Sequence, residues 1–167
     1  KNQGLAEEKL STLALQIKSV TQEENADNAS PSDQQISTLL GYYQTGQYGK
    51  AEQLALSITQ QFPKHPFGWK VLGALFVQSK RYSEALNANK TSVALSPKDA
   101  AAHSNLGNTL TELGSLKEAE VSLKKALDLS PDFAQAHYNL GNTLNKLGRL
   151  KEVKASYIRA IVVEPNF

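Results

Sequence analysis

The sequence predicts an all-α solenoid, four helix-turn-helix repeats in line, preceded by an amphipathic helix. Three observations predict it. Pro63, Pro97, Pro131 and Pro165 stand 34 residues apart, a constant period. Leu72-Gly73, Leu106-Gly107 and Leu140-Gly141 recur in the same phase, as do Ala51, Ala85 and Ala119, a series that Val153 breaks. Within each unit, apolar residues fall at helical spacing on either side of a Gly or polar turn.

The first element is the N-terminal helix, residues 1–22, where Ala6, Leu10, Leu13, Ile17 and Val20 alternate in steps of three and four. It is expected to cap the first repeat or to pair with another chain. A polar stretch containing Glu23, Glu24, Asn25 and Asn28 follows, so residues 23–31 are expected to be a linker. The repeats then occupy residues 32–65, 66–99, 100–133 and 134–167. The third and fourth share whole strings, Ala102 to Leu110 against Ala136 to Leu144, which differ at a single place, Ser104 against Tyr138.

Within a repeat the reading is helix, turn, helix, stop. In the third, Leu106 and Leu110 mark the first helix, Gly114 ends it, and Leu123, Ala126 and Leu127 mark the second. Ser32 with Gln35 and Ser115 with Glu118 have the spacing of capping boxes, in which side chains satisfy the free amides of a helix start. Each repeat closes at its proline, which lacks a backbone donor and disfavours helix in the residue before it: Phe62, Ser96, Ser130 and Glu164.

Leu-Gly, then Ala, then Pro over 34 residues resembles the tetratricopeptide repeat across residues 32–167. The first repeat departs from the pattern with Thr38-Leu39 in place of Leu-Gly, and the second with Asn89 and Ser92 at usually apolar or small sites. The resemblance implies a right-handed superhelical solenoid in which Gly107, Gly141, Ala119 and Ala126 let helices approach closely and Trp69 fills a gap in the second repeat. It further implies a concave groove lined by the first helices. Carried over by phase, the groove holds Lys70, Ala74 and Val77 in the second repeat and Ser104, Asn105, Asn108, Thr111 and Glu112 in the third. The fourth contributes Gln135, Tyr138, Asn139, Asn142, Asn145 and Lys146.

Asparagines recur in this set, Asn105 with Asn139 and Asn108 with Asn142, forming two short ladders. An amide side chain carries donors and an acceptor and can pair with both the N–H and the C=O of an extended peptide. These repeats resemble the asparagine-lined units of O-linked N-acetylglucosamine transferase and bacterial fusions of such repeats to transferase domains. The alternative role for the same asparagines is bonding between neighbouring helices. The carboxylate clamp of chaperone-binding relatives is matched only at Lys70 and Asn105. Ala74, Gln135 and Asn139 stand where its other asparagine and two cations belong, so binding of a chaperone tail is not expected.

Other classes find little support. The 18 basic and 16 acidic side chains nearly cancel, which argues against nucleic acid or an anionic membrane as partner. Lys117, Lys124, Lys125, Lys151, Lys154 and Arg159 sit on second helices among acids, as on a solvated face. There is no cysteine, hence no disulfide or thiolate site. His103 and His137 are one period apart, roughly 10 Å, too far to share one ion, and His65 has no catalytic companions. No catalytic residue, metal or cofactor is therefore expected. No apolar run reaches the roughly 20 residues of a membrane span. A chain that starts at Lys1 and has no methionine reads as a fragment, and the expected location is the cytoplasm.

The expectation is thus a non-enzymatic interaction module whose groove binds an extended peptide, part of a larger protein and able to serve a transferase domain. The alternative is homo-oligomerisation, for example as a homodimer, through the N-terminal helix or through the open C-terminal edge of Tyr157, Ile161 and Val162.

Overall fold

The structure is a computed structural model, and it describes residues 30–166. The expected N-terminal helix, nearly all of the linker, and Phe167 lie outside the described residues. Eight helices and no strand occur among the described residues. They are α1 (Asp33–Gln44), α2 (Tyr48–Gln61), α3 (Pro66–Gln78), α4 (Tyr82–Leu95), α5 (Ala100–Glu112), α6 (Leu116–Leu129), α7 (Ala134–Lys146) and α8 (Leu150–Val163). Each helix packs on the next, and the first helices α3, α5 and α7 also pack side by side. None is long and apolar enough to cross a membrane.

The helix ends follow local chemistry. Ser32 and Gln35 form the expected capping box at α1. Pro66 occupies the first turn of α3, where its missing donor is not needed. The Oδ1 of Asp99 accepts from the backbone N–H groups of Ala101 at 2.9 Å and Ala102 at 3.2 Å to start α5. Second helices all end on the residue before a proline, which has left helical backbone with φ of −131° at Phe62, −138° at Ser96, −143° at Ser130 and −135° at Glu164. The turn inside each repeat needs a left-handed residue, supplied by Gly46, Gly114 and Gly148. In the second repeat Lys80 takes that conformation at φ 59°.

The box expected at Ser115 and Glu118 does not form. Ser115 has ψ 59°, outside the extended region a capping side chain requires, and makes no capping bond. The geometry belongs to the position: Gln47, Arg81 and Arg149 stand there in the other repeats, also uncapped. The two arginines instead bridge repeats. Arg81 donates to Glu84 and, at 2.6 Å, to Glu52 of the preceding repeat, while Arg149 donates to Glu152 and, at 2.7 Å, to Glu120.

Side-chain size is balanced where the two helices of a repeat cross. A Cβ on Gly73 would lie 1.9 Å from Asn89 Oδ1, one on Gly107 2.5 Å from Leu123 Cγ, and one on Gly141 2.4 Å from Tyr157 Cε1. Residues 89, 123 and 157 are one period apart, so Asn, Leu and Tyr in turn rest on a bare helix backbone. The first repeat reverses the arrangement, with Leu39 at the glycine position and Ala55 opposite, both fully buried in one apolar cluster. Its departure from Leu-Gly is a compensated exchange of large for small.

The apolar core is in two parts. One cluster spans the first two repeats, from Leu39 to Ala88, and another joins Leu123, Leu140 and Leu144 in the last two. Between them α4 presents Asn89 and Ser92, both 0 % exposed. Neither Asn89 Oδ1 nor Ser92 Oγ has a hydrogen-bond partner.

The rings of Trp69, His103 and His137 share one task. Each ring nitrogen lies 2.8–2.9 Å from the carbonyl of the proline six residues earlier, at Pro63, Pro97 and Pro131. A carbonyl only accepts, so each histidine carries its proton on Nε2, as the indole does on Nε1. These histidines are fastened to loops, and no group of acids and histidines suited to a metal ion occurs among the described residues.

Candidate peptide-binding groove

The groove forms where α1, α3, α5 and α7 present successive side chains, and it contains two adjoining cavities. The first, about 230 Å³, is lined by Tyr43 of α1, Gly73, Ala74, Val77 and Gln78 of α3, Asn89 of α4, Asn105 and Asn108 of α5, and Gln135 and Asn139 of α7. The second, about 260 Å³, is lined by Leu40, Tyr43, Lys70, Val71, Ala74, Ala101 and Asn105. Of the eight site residues expected from the sequence, Lys70, Asn105, Asn108 and Asn139 line these cavities. Tyr138, Asn142, Asn145 and Lys146 line neither.

Residues one period apart turn out to be inequivalent. Asn139 is buried and bridges to the preceding first helix, donating to Ser104 Oγ at 3.2 Å and accepting from Gln135 Nε2 at 3.0 Å. The position matching Ser104 one repeat earlier is Lys70, whose Nζ is instead 2.7 Å from Asp99 Oδ2. The Asn105 side chain is therefore left without a partner among the described residues. Likewise Asn142 accepts from the Tyr157 hydroxyl at 2.7 Å, whereas the residue matching Tyr157 in the third repeat is Leu123, which cannot donate. Asn108 is also left without a partner among the described residues. Each ladder thus has one amide used by the stack, Asn139 or Asn142, and one facing the groove, Asn105 or Asn108.

The remaining expected residues serve the outer part of the stack. The Tyr138 ring lies 5.8 Å from that of Tyr157, and Asn145 is exposed near the end of α7. Lys146 reaches back to Glu112 Oε1 at 3.1 Å and to the backbone carbonyl of Thr111 at the end of α5. Its charge meets the negative end of that helix.

The groove's charges are internally balanced. Burial opposes the Asp99 charge, but the hydrogen bond and charge of Lys70, with the two backbone donors of α5, hold its carboxyl below the usual carboxylate range. Burial and the neighbouring Tyr48 push the Tyr43 phenol up, so it is neutral at physiological pH. Sequence reasoning missed Leu40, Tyr43, Val71, Gly73, Gln78, Asn89 and Ala101 as lining residues. Asn89 does carry a signal in the sequence, a polar residue at a usually apolar position of the repeat.

Stacked helical hairpins with a side groove define a repeat scaffold of the class that binds proteins. Sequence models of the TPR repeat match residues 73–114 and 107–148, and one of the tetratricopeptide repeat matches 134–167. The matches together run over 73–167, more than half of the chain, which belongs to the tetratricopeptide repeat family. No curated protein sequence matches it. Among solved structures, MamA residues 41 to the end from Desulfovibrio magneticus RS-1 is 23% identical with a TM-score of 0.68, over 78% of this chain and 74% of that one. An O-GlcNAc transferase mutant from Thermobaculum terrenum is 29% identical with a TM-score of 0.62, over 70% of this chain and 23% of that one. The Arabidopsis OM64 TPR domain is 25% identical with a TM-score of 0.56, over 59% and 82%.

Proposed function

We propose that this scaffold holds an extended peptide segment of a protein partner in its concave groove, where Asn105 and Asn108 pair with the peptide backbone. One observation carries the reading: these two amides have no partner among the described residues and line the same cavity, while Asn139 and Asn142, their counterparts one repeat on, are bonded to neighbouring helices. A free amide beside an extended chain replaces the water on a backbone N–H and C=O at once. The ion pair of Lys70 with Asp99 removes the one cation that a carboxylate clamp would use here. The likeness to a transferase supports a module that presents its peptide to a further domain. The near-balance of charge supports protein as the partner in preference to nucleic acid or membrane, and cytoplasm is the compartment we assign.

The test is a peptide-display screen on the chain and on its Asn105→Ala/Asn108→Ala variant. Peptides captured by the first and lost, with unchanged helicity, by the second support the reading. Equal capture by both refutes it.

Homo-oligomerisation is a second reading, favoured by the face of α8, where Leu150 is 68 %, Ile158 49 %, Ile161 57 % and Val162 63 % exposed. Ile161 is one period from Leu127, which packs against the Leu140 and Leu144 cluster of the next repeat. Light scattering over a concentration series decides it, with and without residues 1–30. A mass that stays monomeric in both removes this reading.

A further inference from the structure

The two cavities differ in chemistry and share a wall. Tyr43, Ala74 and Asn105 belong to both. Beyond that wall the second cavity is chiefly aliphatic, with Leu40 and Val71, and the first is chiefly amide, with Asn89, Asn108 and Gln135. Neither offers a net charge, because the one charged side chain on either lining, Lys70, is paired with Asp99. Asn89 distinguishes the amide cavity. Its Nδ2 donates to Thr109 Oγ1 at 2.8 Å and to the Asn105 carbonyl, while its carbonyl oxygen, against Gly73, takes no donor. The same position holds Leu123 and Tyr157 in the next two repeats, so an amide at this place is particular to the second repeat.

We infer that the groove reads side chains as well as backbone, seating an apolar side chain in the Leu40–Val71 cavity and an uncharged carboxamide, asparagine or glutamine, two residues away in the adjoining cavity, with Asn89 as a specificity-determining residue. The inference rests on the peptide reading above. Alternate side chains of an extended peptide point the same way about 6.5 Å apart, which suits two cavities with a common wall. A carboxamide offers both donors and an acceptor to a ring of amides. A carboxylate or ammonium would lose its hydration there without meeting an opposite charge.

The experiment is a library of extended peptides randomised at positions i and i+2, screened on the whole chain and on the Asn89→Leu, Leu40→Asp and Asn105→Ala/Asn108→Ala variants. The expected selection is Leu, Ile or Phe two residues from Asn or Gln. Replacing that amide by Asp or Glu weakens binding about tenfold or more, equivalent to about 1.4 kcal/mol. Affinity changes less than about twofold between 50 and 500 mM NaCl, since no exposed ion pair is formed. Asn89→Leu places at the cavity floor the side chain that Leu123 supplies one repeat on, and it erases the amide preference while keeping the apolar one. Leu40→Asp, at a partly exposed position, erases the apolar preference.

Peptides that bind through Asn105 and Asn108 but select charged side chains, weaken steeply with salt, or keep the amide preference in Asn89→Leu overturn this inference and leave the backbone reading standing. Capture of no peptide, or equal capture by the Asn105→Ala/Asn108→Ala variant, overturns both.

Discussion

Ser92 is the sharpest test of the packing argument. Its hydroxyl is 0 % exposed and has no partner, and the matching positions one and two repeats later are Ala126 and Ala160, both buried. An unpaired buried hydroxyl costs about 1 kcal/mol at the low end of its range. Replacing Ser by Ala inside a helix adds roughly 0.5 kcal/mol from propensity. Ser92→Ala is therefore expected to stabilise the chain by about 1.5 kcal/mol, which at a urea m-value of about 2 kcal/mol/M raises the midpoint by about 0.7 M. Ser122→Ala, at a half-buried position on α6, is the control. It shares the propensity gain without the buried hydroxyl, and its midpoint should rise by only about 0.25 M. A Ser92→Ala midpoint equal to or below that of Ser122→Ala would refute the reasoning.

Lys80→Gly should stabilise by about 0.5–1 kcal/mol, because it relieves a left-handed lysine at the place where three other repeats use glycine, less the entropy glycine adds to the unfolded chain. Thermal melts check it, and a lowered Tm counts against it. Asn139→Ala strands Ser104 and should cost about 1–2 kcal/mol, whereas Asn105→Ala and Asn108→Ala should each stay within about 0.5 kcal/mol in the same urea assay. Asp99 contributes stability in a defined pH window. Its folded pKa lies below the unfolded one, so the contribution is complete above the ordinary carboxylate pKa of about 4 and is lost as pH falls through the folded value. Asp99→Asn should flatten the acid limb of stability against pH, and an unchanged limb would remove Asp99 as its source.

The architecture was legible because it depends on positions that repeat. The prolines fix where second helices stop, and the turn position at 46, 80, 114 and 148 has the same backbone whether it holds glycine or lysine. Reading became harder where one residue's role depends on another of different phase. Leu39 looks like a lapse in the pattern until Ala55 is set opposite it. Asn105 and Asn139 look alike until Lys70 is compared with Ser104, and Asn108 and Asn142 until Leu123 is compared with Tyr157. Periodicity places a backbone, but a hydrogen bond needs two partners, and in a diverged repeat the second partner varies independently of the first. The failed capping box at Ser115 has a different cause. Its residue spacing is right, but the turn before every second helix holds this position away from the extended conformation a cap requires.

The same pairing logic explains why the core is interrupted where the groove is best formed. With Leu at position 89, as at Leu123, an apolar side chain would stand at the seam between the two core clusters. Asn89 forgoes that contact, leaves its carbonyl oxygen unpaired and places an amide on the cavity lining. A substitution that favours folding should here oppose recognition. Asn89→Leu removes the orphaned acceptor, and Thr109 keeps its own bond to the Asn105 carbonyl. A variant more resistant to urea that has lost its preference for amide side chains would tie the seam to the groove. Lower stability together with an unchanged preference would break that link, because it would show Asn89 to be a packing residue whose exposure to the cavity has no consequence for what binds.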